Sequence, residues 1–371
     1  MGLVQTPDET LWVAGGSAGA LCGPGRPCCP PLEDKLTNVW VARYDTNGEQ
    51  LSADQFGDAI NCFFDDIGSD ADGNVYVMFK SAHNIETNGK NHFWSPVLMK
   101  YDSTGKRLWV KQYGGDADER FGSMAVADDG TCYMVTKTFD LLDSGEWIPN
   151  GSITNATGDI LLRCVDSDGT EQWTQEHGST QSDTPNDIAL DATNGELVIV
   201  GRTWGDLCEP QQGRSDAFLF RTDLEGNWLS GIHLGTDMPE HFASVTIDDN
   251  GIVIASGNSS KPMDNLIGGG TALMVGYNVD NERVWQLQFG TPTVGENLTG
   301  EVVLPNGNGQ LFLAGSTDGT LVGHNAGEDD IVLVRFSLPE VETIEVLPSP
   351  LSPSAPTAPK PDDAEHSGTD E

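Results

Sequence analysis

The sequence predicts an all-β fold, namely a six-bladed β-propeller of four-stranded antiparallel blades followed by a disordered C-terminal tail. Three observations predict it. A strand–turn–strand pattern recurs along the chain, Asp-Gly and Asn-Gly pairs separate short apolar runs, and several of those runs are apolar at consecutive positions. A strand that is apolar on both faces must be covered on both, as it is when small sheets stack around an axis. No segment carries an apolar stripe of helical period, which excludes a helical solenoid.

The repeat consists of an apolar strand that ends near an aromatic residue, a turn, a Trp-containing strand and an aromatic–Gly pair. Two copies are VLMKYDSTGKRLWVKQYG at 97–114 and ALMVGYNVDNERVWQLQFG at 272–290. A second hairpin, such as SDADGNVYV, lies between successive copies, and its Asp-Gly pair suits a tight turn. The resulting units lie near 1–57, 58–114, 115–178, 179–235, 236–290 and 291–338.

We name the strands of each unit A to D in chain order, with A nearest the axis. Strand A is predicted at about 2–6, 63–69, 121–127, 186–191, 241–247 and 299–304. The D strand of the sixth unit has two possible sources, residues 342–347 or sequence upstream of Met1. Residues 339–371 are rich in Pro, Ser and acidic residues and contain no aromatic residue, which predicts the disordered tail.

The charge balance narrows the possible partners. The chain has 57 acidic and 19 basic side chains, a formal net charge of −38. Such a surface repels phosphate backbones and anionic lipids, so we expect no nucleic-acid binding. No apolar run reaches the length of a membrane span, so we expect no membrane insertion. A charged, apolar leader is missing from the start of this chain, and we expect a longer natural precursor.

These repeats resemble the SBBP-type β-propeller repeat family of secreted or surface proteins from bacteria and archaea. The closest copies are YDSTGKRLWVKQYGG, SDADGNVYV and SDAFLFRTD, and the resemblance covers about residues 2–337. It implies a propeller fold and an extracytoplasmic location. It implies no particular chemistry, because members of the family have none assigned.

The B–C connections are predicted to be long and uneven, near 16–37, 80–95, 137–158, 203–215, 257–271 and 316–330. They share one face of the propeller with the D–A connections. Long loops on a rigid scaffold often carry binding, so we expect this face to contact a glycan or protein partner. The candidate contact residues are Trp94, Trp147, Trp204, His83, His92 and His324. Alternatively, the tryptophans cover the blade ends as small local cores.

Acidic residues gather in the D–A connections on the same face. Carboxylates that converge there could hold Ca²⁺, which takes six or more oxygen ligands. The candidate ligands are Asp58, Asp116, Asp118, Glu119, Asp183, Asp237 and Glu240. No copy has the spacing of an EF-hand, so a solvated acidic rim is the favoured interpretation, with Ca²⁺ as the possible cofactor.

Two further patterns leave alternatives open. Trp109, Trp173 and Trp285 share one repeat position, which indicates packing between adjacent blades. GKRLW at 105–109 also resembles the Gly-Lys-x-x-Trp element of quinoprotein propellers, which implies an oxidoreductase or lyase with a quinone or cation over the channel. The other five units lack this element, and no nucleophile or phosphate-binding motif occurs in the chain.

Cysteine usage favours an oxidising compartment. Cys22, Cys28 and Cys29 lie close together in one predicted loop and suggest a local disulfide. Cys132 and Cys164 lie on neighbouring strands of the third unit, where they are either bonded to each other or simply small buried residues.

Together these observations predict a non-enzymatic, extracytoplasmic binding or adhesion scaffold that presents its long-loop face to a glycan, protein or surface partner. The alternatives are the propeller enzyme just described and a purely structural unit of a larger surface protein.

Overall fold

The computed structural model describes residues 1–17, 37–57, 62–85, 90–114, 117–139, 158–261, 272–289, 302–305, 310–317 and 330–337. Every regular element in these ranges is a β-strand. The described part of the chain contains no helix that could cross a membrane. Residues 1–340 form one compact unit. The predicted tail at 339–371 lies outside the described residues.

The strands form six antiparallel sheets, five of four strands and one of three described strands. The first two sheets consist of β1 (Gly2–Gln5), β2 (Leu11–Ser17), β3 (Asn38–Tyr44) and β4 (Gln50–Phe56), and of β5 (Cys62–Ser69), β6 (Val75–His83), β7 (Lys90–Tyr101) and β8 (Arg107–Gln112). The third consists of β9 (Asp118–Val126), β10 (Cys132–Phe139), β11 (Ile160–Val165) and β12 (Glu171–His177).

The fourth sheet consists of β13 (Asp183–Asp191), β14 (Glu196–Thr203), β15 (Asp216–Asp223) and β16 (Trp228–Leu234). The fifth consists of β17 (Glu240–Ile247), β18 (Val253–Ser259), β19 (Ala272–Tyr277) and β20 (Arg283–Phe289), and the sixth of β21 (Val302–Pro305), β22 (Gln310–Thr317) and β23 (Asp330–Ser337). Each sheet is a meander in chain order, and the first strands β1, β5, β9, β13, β17 and β21, here called the inner strands, contact one another in succession.

The fourth sheet is buried on both faces, as its consecutive apolar run predicts. In β14, Val198 and Val200 pack in a core cluster with Phe242 of the fifth sheet. Their neighbours Leu197 and Ile199 point to the opposite face and pack in a cluster with residues of the third sheet. Successive side chains of a strand alternate between faces, so one apolar run contributes to two cores.

The aspartates of the hairpin turns have a structural role. Asp223 Oδ1 accepts hydrogen bonds from the backbone N–H groups of Glu225 and Asn227, at 3.0 and 2.8 Å. Gly226 supplies the left-handed residue of this turn, with φ of 82°. Asp45, with Gly48 at φ of 80°, repeats the arrangement in the first sheet.

The recurrent tryptophans pack against the next sheet, as the repeat position indicates. Gly169, in the turn between β11 and β12, lies against Trp109 of the second sheet. Gly226, in the corresponding turn of the fourth sheet, lies against Trp173 of the third. Trp173 also lies 6.3 Å from the ring of Tyr133. The tryptophan of one sheet therefore covers the outer edge of the contact between that sheet and the next.

Strand boundaries differ from the sequence expectation at two kinds of place. Strands β9 and β13 begin at Asp118 and Asp183, three residues before the predicted starts at 121 and 186, because pairing resumes beyond a β-bulge. Strands β6 and β7 pair as far as His83 and Lys90, so the predicted loop at 80–95 is mostly strand. The proposed closing strand at 342–347 lies outside the described residues.

A pair of glycine variants should measure the contribution of the tryptophan contacts. Gly48 and Gly226 occupy the same turn position and have nearly the same φ, but a Cβ at Gly48 meets nothing within 4 Å, whereas one at Gly226 would lie 2.7 Å from the Trp173 ring. We expect Gly48→Ala to lower the free energy of unfolding by about 1–2 kcal/mol, from backbone strain alone. Gly226→Ala should cost about 1–3 kcal/mol more, because the ring must move. Equal losses in denaturant unfolding would show that Trp173 does not hold the sheets together.

Candidate functional site

The inner strands all begin on the face that carries the B–C and D–A connections, here called the long-loop face. Near its start, each of the inner strands β5, β9, β13 and β17 has a break in pairing register, which marks a β-bulge. The residues that follow the four bulges alternate between acid and hydroxyl. They are Asp66, Ser123, Asp187 and Ser244.

The two acids connect inner strands to each other. Asp187 Oδ2 accepts hydrogen bonds from Ser244 Oγ at 2.9 Å and from the N–H of Val245 at 2.8 Å. Asp66 Oδ2 makes the equivalent contacts with Ser123 Oγ at 3.0 Å and the N–H of Met124 at 2.9 Å. One carboxylate therefore fastens β5 to β9, and the other fastens β13 to β17.

Ser123 lies between the two carboxyl groups. Its Oγ is 3.0 Å from Asp66 Oδ2 and 2.7 Å from Asp187 Oδ1. A hydroxyl carries a single proton, so it makes two full hydrogen bonds here only when one of the carboxyl groups is protonated and donates to it.

The electrostatics of the site agree with a shared proton. Burial, followed by the charge of Asp187, raises the pKa of Asp66 to about 7. Burial also raises the pKa of Asp187. Next to this pair, Asp65 forms an ion pair with Lys80, and burial raises its pKa to about 6. Two carboxyl groups this close favour binding one proton between them near neutral pH.

Aromatic side chains surround the starts of the inner strands. Phe63 on β5 is 40% exposed, and its ring meets the Trp94 ring edge-on at 5.2 Å. Phe121, at the bulge of β9, is 54% exposed and has φ of 57°, in the left-handed region. Its ring lies 6.3 Å from that of Phe139. Large rings thus reach solvent on the long-loop face.

Two cationic side chains, one from the third sheet and one from the fourth, pack against aromatic rings. Lys137 Nζ lies 5.2 Å from the Phe139 ring centre and 5.8 Å from that of Trp204. The guanidinium of Arg202 lies 4.3 Å from the same Trp204 ring. Phe121, Phe139, Lys137, Trp204 and Arg202 form a continuous group, which we call the aromatic–cation cluster.

The structure separates the predicted contact residues. Trp204 follows β14 directly and belongs to the aromatic–cation cluster, whereas Trp94 packs with Phe63. Trp94 and His92 lie on β7 and His83 ends β6, so these three lie on strands and not in a loop as expected. The reason is the extended pairing of β6 with β7. Trp147 and His324 lie outside the described residues.

The predicted Ca²⁺ ligands have other partners where they are described. Glu119 is buried, pairs through both oxygens with Arg163 at 3.0 and 3.2 Å, and accepts a hydrogen bond from Thr136 Oγ1. Asp118 pairs with Arg120 at 2.6 Å, and Asp237 with Lys261 at 2.6 Å.

Two of the remaining candidates cap the D–A connections. Asp183 Oδ2 accepts the N–H of Ser179, and Glu240 Oε2 accepts the N–H of Thr236, each four residues earlier. No three metal-binding side chains come together in the described ranges. Asp58 and Asp116 lie outside those ranges.

Of the two alternatives left open for Cys132 and Cys164, the disulfide is not formed, because both residues are free thiols. Tyr133, not Cys132, is the direct partner of Cys164 across β10 and β11. Residues 132 and 133 point to opposite faces, so the two sulfurs lie in different core clusters. The alternative of small buried residues holds. Cys22, Cys28 and Cys29 lie outside the described residues.

Sequence reasoning missed Phe121, Lys137 and Arg202. Phe121 lies at the predicted start of a strand, where its exposure breaks the alternation of buried and exposed side chains. Only the bulge explains that exposure. Lys137 and Arg202 occupy the same repeat position near the ends of the second strands of adjacent sheets, seven residues after the turn glycines Gly130 and Gly195. The one local signal was Arg202-Thr203-Trp204, which places two large side chains on the same side at a strand end.

Comparison with known proteins supports the fold and leaves the function open. No family model matches the chain, so the resemblance to the SBBP-type family stays a prediction. The regulatory protein FlaEY of Caulobacter vibrioides is 27% identical over 211 residues, which cover 52% of this chain and 22% of that protein. The chain thus spans less than a quarter of this relative's length.

Solved structures resemble the chain in fold at low sequence identity. A mutant puromycin hydrolase complexed with PGG gives a TM-score of 0.51 at 12% identity, over 91% of this chain and 44% of that one. Polysaccharide lyase Uly1 gives 0.45 at 11% identity, over 90% and 76%. An α-L-arabinanase of Penicillium chrysogenum gives 0.42 at 12%, over 69% and 71%. The meander sheets and the successive contacts of their first strands give the chain a β-propeller-like, all-β repeat architecture.

The shared proton predicts a pH dependence of stability. The pKa of Asp66 is raised in the folded protein, so the folded state binds this proton more tightly than the unfolded chain does. The contribution of Asp66 to stability should therefore increase as the pH falls from 8 to 6, whereas His177, His233 and His241, whose pKa values burial lowers, contribute the opposite slope. Asp66→Asn imitates the protonated form and should flatten this dependence. Asp237→Asn, on the surface, should not. An unchanged melting-temperature profile in Asp66→Asn would contradict the shared proton.

The Glu119–Arg163 pair gives a second prediction. Removing one partner of a buried ion pair costs about 3–5 kcal/mol, because the other charge stays buried without compensation. We therefore expect Glu119→Gln to lower the free energy of unfolding by that amount. Asp237→Asn, which breaks an exposed pair, should cost less than about 1 kcal/mol. Both measurements should be unaffected by added Ca²⁺. A Ca²⁺-dependent stabilisation that Glu119→Gln abolishes would instead indicate a cation site.

Proposed function

We propose that the protein is a binding scaffold that recognises a glycan on its long-loop face. We propose further that the six sheets close into a six-bladed propeller, with the three described strands of the sixth sheet completed by a fourth. The contacts of the inner strands in chain order and the recurrent packing of each sheet on the next support this closure. A rigid, preformed surface would bind with little ordering cost.

The observation that carries the proposal is the conformation of Phe121. A bulky residue with positive φ costs about 1–2 kcal/mol. More than half of its side chain is exposed, so burial recovers only part of that cost. Within the described residues, the bulges of β5, β13 and β17 are formed without a positive φ. The β9 bulge thus holds an aromatic residue at the surface at the cost of a strained backbone, which favours a role in contact with a partner.

Phe63 and Trp94 extend the same aromatic surface. The apolar faces of sugar rings stack on aromatic side chains, and neighbouring polar groups bind their hydroxyls. A glycan fits an open face with rings spaced along it better than a small apolar ligand, which needs an enclosed pocket. The extracytoplasmic location proposed from the sequence agrees with such a partner. The described cysteines do not test this location, because they are free thiols and at least half-buried.

The proposal is tested with a defined set of polysaccharides. The purified full chain is titrated with alginate, polygalacturonate, xylan and mannan in a calorimeter. We expect at least one to bind, and Phe63→Ser with Phe121→Asn to weaken that binding at least about fivefold, since each aromatic contact contributes about 0.5–1.5 kcal/mol. Asn tolerates positive φ, so the double variant should fold.

The control is Leu51→Ser with Leu108→Ser, which removes exposed aliphatic side chains from the outer strands β4 and β8. Its affinity should equal that of the unmodified protein. Equal weakening in both double variants, or no binding to any of the four polysaccharides, would overturn the proposed glycan face.

A further inference from the structure

We propose that Asp118 and Arg120 form the polar centre of the glycan face, and that they select an uncharged sugar through two adjacent hydroxyl groups. This inference rests on the proposed glycan face and adds the class of sugar. An unbroken series of contacts connects this ion pair to the exposed rings of Phe63 and Phe121.

The first half of the series runs from the second sheet to the third. The Phe63 ring, which is 40% exposed, meets the Trp94 ring at 5.2 Å. The backbone N–H of Trp94 donates to Asp118 Oδ1 at 2.9 Å, and Asp118 Oδ2 lies 2.6 Å from Arg120 Nη2. One group from each sheet therefore holds the Asp118 carboxylate in place.

The second half of the series lies within the third sheet. The Arg120 guanidinium lies 5.6 Å from the centre of the Phe139 ring, and that ring lies 6.3 Å from the exposed ring of Phe121. The side chain of Arg120 is 27% exposed and that of Asp118 is 11% exposed. The ion pair therefore reaches solvent at the middle of the series, with an exposed aromatic ring at each end.

The pair offers the two kinds of hydrogen bond that adjacent sugar hydroxyls make. A hydroxyl both donates and accepts, whereas a carboxylate only accepts and a guanidinium only donates. One hydroxyl would donate to Asp118, which has about four lone-pair positions, and its neighbour would accept from Arg120. Both hydrogen bonds are charge-assisted, and the apolar face of the same sugar or of the next one would stack on an aromatic ring.

The charges of the pair select against acidic sugars. Among the described residues, Arg120 pairs with no carboxylate other than Asp118, so the pair has no net charge. The chain as a whole has a net charge of −38, which repels anions. The carboxylate of an acidic sugar would meet a cation that is already neutralised. An uncharged sugar makes the same hydroxyl contacts without this repulsion.

The test extends the titrations of the purified full chain, at low ionic strength, where charge effects are least screened. We expect mannan or unsubstituted xylan to bind at least about tenfold more tightly than alginate and polygalacturonate, because only the acidic polymers are repelled. The tighter of the two uncharged ligands is then used as its hexasaccharide. Hexamannuronate, in which each mannose C6 is a carboxylate, is the acidic counterpart.

A variant of Arg120 tests the donor. Arg120→Gln should weaken binding of the uncharged hexasaccharide about tenfold, which is the cost of losing a hydrogen bond to a charged group. Arg107→Gln is the matched control. Arg107 also pairs with an aspartate, Asp54 at 3.4 Å, and lies 5.4 Å from an aromatic ring, that of Phe56, but it belongs to the outer strand β8. Its loss should leave the affinity unchanged.

A variant of Asp118 provides a readout that a loss of structure would not imitate. Asp118→Asn keeps the shape of the side chain and an acceptor for the Trp94 N–H, but it removes the negative charge beside Arg120. Hexamannuronate should therefore bind about fivefold more tightly to this variant than to the unmodified protein. The uncharged hexasaccharide should bind no more tightly than before, because an amide oxygen is a weaker acceptor than a carboxylate.

The outcomes separate the two proposals. Acidic ligands that bind as tightly as uncharged ones, equal affinities of Arg120→Gln and Arg107→Gln, or no gain for hexamannuronate in Asp118→Asn would overturn the selection of uncharged sugars and leave the glycan face intact. Weakening by Phe63→Ser with Phe121→Asn, but not by Arg120→Gln, would keep the aromatic surface and remove its polar centre. No binding of any of the four polysaccharides would overturn the glycan face and this inference together.

Discussion

The structure depends on one constraint, which is that no sheet can bury both of its apolar faces without two neighbours. Val198 and Val200 need the fifth sheet, whereas Leu197 and Ile199, on the same strand, need the third. A four-stranded sheet with two apolar faces has no stable existence alone, so the repeat determines the assembly. The tryptophans against the turn glycines of the next sheet and the carboxylates between the inner strands hold neighbours in a fixed register.

This arrangement assigns different chemistry to the two ends of the sheets. The end with the short turns uses Asp and Gly to reverse the chain tightly, and it carries Arg43 in a closed ion pair with Asp8. At the opposite end the inner strands start with bulges, which release side chains from the strict alternation of a strand. Phe121 reaches solvent there, and Arg202 lies on Trp204. The end with the irregular backbone is therefore the one on which the proposed glycan face lies.

Apart from Asp118, the buried carboxyl groups are structural in most positions and functional in none that the geometry identifies. Glu119 neutralises Arg163, and Asp183 and Glu240 cap connections four residues before them. Asp66 and Asp187 fasten inner strands, and both carboxyl groups contact the Ser123 hydroxyl. Within the described residues, these buried acids therefore organise the backbone.

The sequence by itself determined the all-β class, the number of sheets, the hairpin turns and the packing of Trp109 and Trp173, because each depends on local residue order repeated at a constant position. It could not determine where β9 and β13 begin, since a bulge shifts pairing without leaving a periodic signal. It left Cys132 and Cys164 undecided, and only the register of β10 on β11 showed that they face opposite cores. Only the tertiary structure placed Phe121, Lys137 and Arg202 in the same aromatic–cation cluster. They come from three strands of two sheets, and the order of residues along one sheet does not determine which side chains of the next sheet it contacts.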